Sequence, residues 1–277
     1  MPVEIIFEDQ DLIFLNKPAG LVVNRAETIK VATLQDLMEE KLRIKDLGLR
    51  KDWVDLVPSD FDDQYGTPEK IFAQRNGMVH RLDKDTSGVM VWAKNPGSLV
   101  NLLKQFRERQ ASKSYLTLLH GKLTPITGEI DLPIKRHPQR REKFSIRPDG
   151  RAAVTQYQVE QSYSALNLIE VTKVLGDEVA QQLADKTTSY QGFSLVEAWP
   201  KTGRTHQLRV HFTHLTHPLV GDSKYVGRKR ARLDQLWCPR QFLHAKSLEL
   251  THPRTGKKIK FEAPLTVELQ TSLSLLH

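Results

Sequence analysis

Short apolar runs separated by turn-forming residues are the feature that most constrains how this chain can fold. Val3–Phe7 and Leu12–Asn16 flank the polar tetrapeptide Glu8–Asp11, a pattern that predicts an antiparallel β-hairpin. Further strand-like runs follow, namely Ser114–His120, Ser194–Trp199, Leu243–Leu250 and Lys258–Phe261, and several short ones separated by turns lie within 128–174. Because strands outnumber helices and most are joined by turns, we predict an α+β fold whose sheet is largely antiparallel.

Three stretches carry helix signals. Thr33 is placed as an N-cap, with Asp36 at the capping-box position and an apolar stripe after it. Asn95 and Pro96 are typical of an N-cap and a first helical position. The segment 206–216 repeats apolar residues at helical spacing. Two polar stretches, 45–76 and 175–191, show no such period, and we predict that they are loops or insertions.

The charge balance favours a polyanionic partner. The 277 residues carry a formal charge of +8, and many cations concentrate in two runs, 135–143 and 228–232. Clusters of this kind suit nucleic-acid phosphates, although charge alone fits a merely basic protein equally well. Cys238 is the single cysteine, which excludes an intrachain disulfide. No apolar run approaches the roughly 20 residues that span a bilayer, and the first residues lack a signal-peptide pattern, so we expect a cytoplasmic location.

The segment His80–Gly88 is the main candidate for chemistry. Asp83 follows Arg81 directly and precedes a Thr-Ser-Gly turn and an apolar run. A carboxylate held in its charged form beside a cation is either half of a structural ion pair or a nucleophile. A calcium loop is excluded because Lys94 stands where a bidentate Glu is required. A phosphotransferase that forms an aspartyl phosphate is disfavoured, since His80 and Arg81 interrupt the apolar strand such sites need.

A second basic motif, 201–209, spans a turn and a predicted helix start. Considered alone, this motif indicates only a basic patch on the surface. Because Asp83 occurs elsewhere in the chain, Arg209 becomes a candidate ion-pair partner for that carboxylate. The histidines at 211, 214 and 217 are spaced by three, whereas zinc helices more usually place two histidines four apart. Packing or surface histidines are therefore the better interpretation. Tyr115 begins a predicted strand and, by itself, indicates only a core residue.

Taken together, these motifs resemble the RluA-type pseudouridine synthases. The resemblance spans about residues 3–265 and follows the family's order. Its pieces are Asn16–Gly20, the motif from His80 to Lys94, Lys113-x-Tyr115, Gly150–Tyr157, Thr202–His211, His217–Asp222 and Leu243–Ala245.

The resemblance implies isomerisation of uridine to pseudouridine within RNA. By resemblance, Asp83 is the nucleophile, Arg209 pairs with it, and Tyr115 stacks on the target base. Arg81 matches the position that enters the RNA stack when the target nucleotide flips out. The implied chemistry is redox-neutral and requires neither a cofactor nor a metal. We assign RNA binding to Arg81 and to six further residues: His80, Arg204, Lys135, Arg136, Arg140 and Arg141.

We therefore expect one catalytic domain over 1–277, without a separate N-terminal S4 domain. Its fold would be a bent mixed β-sheet with flanking helices and a central basic cleft. The expected partner is a stem-loop of ribosomal or transfer RNA, with no membrane and no small-molecule cofactor. The sequence leaves the oligomeric state open, and a monomer is the default. The alternative is a non-catalytic RNA-binding or RNA-chaperone protein on the same fold.

Overall fold

The hairpin predicted at the start of the chain is confirmed in the computed structural model. The structure describes residues 3–27, 29–42, 52–184, 186 and 190–277. Strands β1 (Glu4–Glu8) and β2 (Leu12–Lys17) pair antiparallel, and β2 pairs antiparallel with β3 (Ser87–Ala93). Every residue of β3 is buried, as the unbroken apolar run from Val89 to Ala93 leads one to expect. The chain divides into two compact units, with residues 1–113 and 245–263 in unit 1 and the remainder in unit 2.

Unit 1 builds its sheet in the order β1-β2-β3-β10, and β11 (Lys258–Glu262) pairs antiparallel with β10 (Leu243–Thr251). Helix α1 (Leu34–Leu42) begins at the predicted capping box, where Thr33 Oγ1 accepts the N–H of Asp36 at 3.2 Å. Helix α3 (Pro96–Arg107) begins at Asn95, whose Oδ1 accepts the N–H of Ser98 at 2.8 Å. Both predicted caps are confirmed.

Unit 2 contains four strands that lie side by side, and all three neighbouring pairs are antiparallel. In their order in the sheet, they are β4 (Ser112–His120), β9 (Phe193–Pro200), β8 (Val154–Tyr163) and β5 (Thr127–Asp131). A separate hairpin is formed by β6 (Ile134–Arg136) and β7 (Phe144–Ile146). The helices are α4 (Leu168–Leu175), α5 (Asp177–Ala184), α6 (Gln207–His214), α7 (Arg228–Asp234) and α8 (Val267–Ser274).

Three helices lie where the sequence predicted loops or strands. Helix α2 (Pro68–Arg75) occupies part of the polar stretch 45–76, of which residues 45–51 lie outside the described residues. Helix α5 likewise lies within 175–191, of which residues 185 and 187–189 lie outside the described residues. Helix α4 lies at the end of the stretch 128–174, where short strands were predicted. The N-caps Thr67 and Asn167 accept N–H groups three residues later, so a local signal for two of these helices was present. In the described part of the chain, no helix is long and apolar enough to cross a membrane.

Candidate active site

Asp83 lies in unit 1 on the loop that leads into β3. Its residue is half-buried, and its carbonyl accepts the N–H of Thr86 at 3.1 Å. The loop is anchored by the fully buried Lys17, whose ammonium donates to the carbonyls of Pro18, Leu21 and Lys84 at 2.8, 3.0 and 2.9 Å. Lys84 is the residue directly after Asp83, so Lys17 fixes the backbone beside the candidate nucleophile.

Gly88 follows the same loop and is the second residue of β3. Its φ is +117°, and a Cβ at this position would lie 2.2 Å from the carbonyl oxygen of Ala245 in β10. Only glycine combines this backbone conformation with so close an approach of another strand. The Thr-Ser-Gly turn identified in the sequence therefore sets how tightly the Asp83 loop packs on the sheet.

His80 supports the loop from within unit 1. Its ring stacks on Phe106 of α3 with centroids 4.9 Å apart, and its Nε2 accepts the N–H of Val91 at 3.2 Å. Desolvation, with a smaller contribution from the positive charge of Lys113, lowers the pKa of His80 to about 3. A neutral imidazole bonded to a core strand suits a positioning residue better than the RNA contact predicted from the sequence. Arg81, by contrast, is exposed, and its Nη1 lies 3.4 Å from Asn24 Oδ1.

Arg209 lies in unit 2, on α6, and is almost fully buried. Its Nε and Nη2 donate to the two carboxylate oxygens of Asp222 at 2.7 and 2.8 Å. The same carboxylate accepts the backbone N–H groups of Lys224 and Tyr225 at 3.0 and 3.3 Å. This bidentate pair fixes the plane of the guanidinium. Sequence reasoning assigned Arg209 but gave Asp222 no role; its only signal was its place at the end of the resembling segment His217–Asp222.

The start of α6 is locked onto β8 by polar side chains of the second basic motif. Gln207 Oε1 accepts the Thr202 hydroxyl and the Arg204 N–H at 2.7 and 3.0 Å, while its Nε2 donates to the Val154 carbonyl at 2.9 Å. Arg204 Nε donates to the Ala152 carbonyl at 3.0 Å. Arg204 thus contributes to holding the position of Arg209 along the helix, besides the RNA contact predicted for it.

Tyr115 is half-buried on β4, opposite Ala198 of β9, and packs against the apolar cluster that includes Leu119 and Phe212. That cluster contains residues of β4, β9 and α6, so the tyrosine is fixed by the core of unit 2. Asp83 belongs to unit 1, whereas Tyr115 and Arg209 belong to unit 2. The predicted Asp83–Arg209 pair stays a prediction.

The predicted RNA-binding arm, residues 135–143, comprises the end of β6 and the loop that leads to β7, and we call it the basic arm. Lys135, Arg136, Arg140 and Arg141 are all exposed. The loop is ordered by its own backbone: the His137 N–H donates to the Lys143 carbonyl at 2.9 Å, and His137 Nδ1 accepts the N–H of Arg140 at 3.1 Å. Lys135 also pairs with Asp149 at 2.7 Å. A shaped loop that presents several cations suits a phosphate backbone.

Two groups of potential metal ligands are already engaged by protein. Both ring nitrogens of His211 have partners, with Nδ1 3.0 Å from Thr155 Oγ1 and Nε2 3.1 Å from the Leu132 carbonyl. In the described residues, Asp9, Asp11 and His252 have ligand atoms close enough to hold an ion. However, Arg254 donates to both Asp11 oxygens at 2.6 and 2.8 Å, so this cluster is a network of ion pairs within unit 1.

Comparison with known proteins identifies the family of this chain. The family described as RNA pseudouridylate synthase matches residues 11–214. Ribosomal large subunit pseudouridine synthase D of Pseudomonas aeruginosa is 34% identical over 282 residues, which cover 99% of this chain and 72% of that protein. The uncharacterized RNA pseudouridine synthase YlyB of Bacillus subtilis is 33% identical over 97% of this chain and 71% of its own length.

Solved structures extend the likeness to the fold. The human RNA pseudouridylate synthase domain containing 4 covers 99% of this chain and 94% of its own, with a TM-score of 0.63 at 23% identity. The predicted α+β class and the family resemblance are both confirmed. The chain belongs to the RNA pseudouridylate synthase family and is an RNA pseudouridine synthase.

Proposed function

We propose that this enzyme converts specific uridines of large-subunit ribosomal RNA to pseudouridine, with Asp83 as the nucleophile. The substrate class is suggested by the relatives that are named ribosomal large subunit pseudouridine synthases. The observation that carries the assignment of Asp83 is its place on a loop fixed on one side by the buried Lys17 and on the other by Gly88. A nucleophile must be held within a fraction of an ångström of its target, and such anchoring supplies that precision.

The reaction is balanced without an oxidant or reductant. The bond between C1′ of the ribose and N1 of the base breaks, the base rotates, and C1′ bonds to C5 instead. C5 loses its proton, and N1 regains one from solvent. In this scheme Arg209 keeps the Asp83 carboxylate charged, and Tyr115 stacks on the detached base and assists removal of the C5 proton.

RNA recognition is assigned to exposed cations. We propose that the basic arm grips the RNA backbone through Lys135, Arg136, Arg140 and Arg141, and that Arg81 fills the stack that the flipped nucleotide leaves. His80 is instead assigned to positioning the Asp83 loop. The arm is tested with one variant, which we call the arm triple variant; it combines Arg136→Gln, Arg140→Gln and Arg141→Gln.

Release of tritium from RNA labelled at C5 of uridine tests the chemistry. Purified wild-type protein should release label from large-subunit ribosomal transcripts, whereas Asp83→Asn should retain RNA affinity and lose turnover. Loss of a nucleophile typically lowers the rate by far more than 100-fold. Release by Asp83→Asn above about one hundredth of the wild-type rate would therefore contradict its assignment as the nucleophile.

Mapping of pseudouridine in cells tests the substrate. Total RNA from a strain without the gene should lack pseudouridine at defined positions of the large-subunit RNA, and wild-type protein, but not Asp83→Asn, should restore it. Loss of transfer-RNA positions alone would replace the ribosomal proposal with the transfer-RNA one. An unchanged map would contradict both.

A further inference from the structure

We infer that Tyr225 is a positioning residue that holds the base of the basic arm and the guanidinium of Arg209 in a fixed relation to each other. The inference rests on the proposed function, because it assigns Tyr225 a role in the same reaction. Tyr225 lies in the turn that begins at Asp222, where its N–H donates to the Asp222 carbonyl at 3.2 Å; it belongs to unit 2 and is half-buried. Its hydroxyl and its ring contact different parts of the site.

The hydroxyl of Tyr225 anchors the arm. It accepts the backbone N–H of Phe144 at 2.9 Å and lies 2.8 Å from Nδ1 of His206. Phe144 is the first residue of β7, directly after the loop of the basic arm, so this bond fixes the point where the loop returns to the hairpin. The hydroxyl can accept from Phe144 and donate to His206 at the same time, which uses both of its capacities.

The ring of Tyr225 faces two cations. Cζ of Arg209 lies 5.0 Å from the ring centroid, and Nζ of Lys143 lies 5.8 Å from it. Both distances are within the range of cation–π attraction. Lys143 belongs to the basic arm, whereas Arg209 is the candidate catalytic cation. One aromatic ring is therefore shared by the arm and by the group proposed to act on Asp83.

Neighbouring rings connect these two contacts. His206 meets Tyr225 edge-on with centroids 5.6 Å apart, and Phe144 meets His206 edge-on at the same distance. Arg136 of the arm lies over the Phe144 ring at 5.5 Å. His206 is also the residue before α6, the helix that carries Arg209. A shift of Phe144 at the base of the arm would therefore displace the ring of His206, and with it the start of the helix that carries Arg209.

The backbone of the Asp222 turn completes the arrangement. Asp222 binds Arg209 through both carboxylate oxygens and also accepts the N–H of Tyr225. Asp222 and Tyr225 therefore approach the same guanidinium from one turn, the first by charge and the second by its ring face. We assign the hydroxyl to RNA affinity through the arm, and the ring to turnover through Arg209.

Two substitutions at Tyr225 separate these roles. Tyr225→Phe removes the hydroxyl but keeps the ring, so KM for RNA should rise about five- to tenfold, as for one lost neutral hydrogen bond, with kcat within twofold of wild type. Tyr225→Leu removes both, and kcat should fall by a further factor of about ten. Tyr157→Phe is the matched control. Its hydroxyl lies 3.4 Å from the Pro125 carbonyl and its ring packs edge-on against Phe212 of α6, but it contacts neither the arm nor Arg209 in the described structure.

A binding cycle provides the readout that a purely structural role would not change. RNA affinity is measured in the inactive Asp83→Asn background, with and without the arm triple variant. Neutralising the arm should weaken binding less when residue 225 is Phe, because the cations then project from an unanchored loop. Equal losses in both backgrounds, or a KM for Tyr225→Phe within threefold of wild type, would overturn the inference. So would a kcat of Tyr225→Phe below half of wild type.

Failure of this inference is distinguishable from failure of the proposed function. If wild-type protein releases no tritium, the proposed function fails, and the affinity cycle still reports on the arm. If wild-type protein is active and Tyr225→Phe behaves like Tyr157→Phe, only the role of Tyr225 is refuted. Thermal unfolding of each variant shows whether the fold is retained, and Tyr225→Phe keeps the test valid should Tyr225→Leu unfold.

Discussion

Removal of the Arg209 side chain should lower the free energy of unfolding by the cost of breaking the buried ion pair between Arg209 and Asp222. The side chains of Arg209 and Asp222 are 5% and 0% exposed, and two hydrogen bonds join them. Arg209→Ala leaves a buried carboxylate with only the N–H groups of Lys224 and Tyr225 as partners in the described contacts. Breaking one side of a buried pair typically costs roughly 3–5 kcal/mol. For a chain of this size, that loss lowers the unfolding midpoint by roughly 10 °C.

The cause of this loss is tested by removing the stranded charge. Adding Asp222→Asn to Arg209→Ala keeps an acceptor oxygen for the two N–H groups but removes the negative charge. The double variant should therefore regain at least ~1 kcal/mol over Arg209→Ala in urea unfolding followed by circular dichroism. Arg147→Ala is the control, since Arg147 pairs with Asp149 at an exposed site and surface pairs contribute little. A double variant as unstable as the sum of the two single variants would refute the reasoning.

Four further predictions concern the loop, the sheet and the arm. If Asp83 and Arg209 interact, Asp83→Ala and Arg209→Ala should be non-additive in a double-mutant cycle of unfolding free energy. Gly88→Ala should lower the free energy of unfolding by at least ~2 kcal/mol, because its Cβ would overlap the Ala245 carbonyl at a positive φ. Because the pKa of His80 is low in the folded chain, the His80 imidazole of the unfolded chain takes up a proton first as the pH falls below about 6.5. Roughly 2 kcal/mol of the free energy of unfolding at pH 7 should therefore be lost by pH 5. His80→Gln should abolish that loss. The arm triple variant should flatten the slope of log affinity against log salt by roughly two units, with kcat at saturating RNA changed much less.

Each of these predictions has an outcome that would contradict it. Strict additivity would show that Asp83 and Arg209 do not interact. A Gly88→Ala protein as stable as wild type would show that the backbone of β10 shifts to make room for the added methyl group at little cost. A loss of stability between pH 7 and pH 5 as large in His80→Gln as in wild type would show that His80 is not its source. An unchanged salt slope, or a collapse of kcat with affinity intact, would place the arm elsewhere than on the RNA backbone.

The sequence predicted best where a local rule determines the structure. The hairpin β1–β2 and the caps at Thr33 and Asn95 are each specified by a few adjacent residues, and each was confirmed. Helix α4 was predicted as part of a strand region, because Leu168–Leu175 is rich in β-branched and apolar residues. Its stability comes from burying Val171 in the core of unit 2, which no local pattern reveals.

The sequence singled out candidate reactive residues but not the residues that hold them. Asp83 was singled out by its place between a basic pair and a Thr-Ser-Gly turn, and the roles proposed for Asp83 and Arg209 come from the family resemblance. Their supports are separated from them along the chain: Lys17 by 66 residues from Asp83, and Asp222 by 13 residues from Arg209. A lysine before a proline and an aspartate after a glycine look like ordinary turn residues. Only the tertiary structure shows that one is buried against three carbonyls and the other against a guanidinium.

The way in which the Asp83 loop is held explains where its sequence must be restricted. Lys17 contacts the carbonyl oxygen of Lys84, and Gly20 donates its N–H to the same atom at 2.9 Å. Both contacts are made to the backbone, while the Lys84 side chain points outward and is exposed. The geometry beside Asp83 is therefore independent of which side chain stands at position 84. The restriction falls instead on Lys17, which must reach three carbonyls from a fully buried site, and on Gly88, which must accept the approach of another strand. A loop fixed through its backbone can vary its exposed side chains without displacing the carboxylate that we propose as the nucleophile.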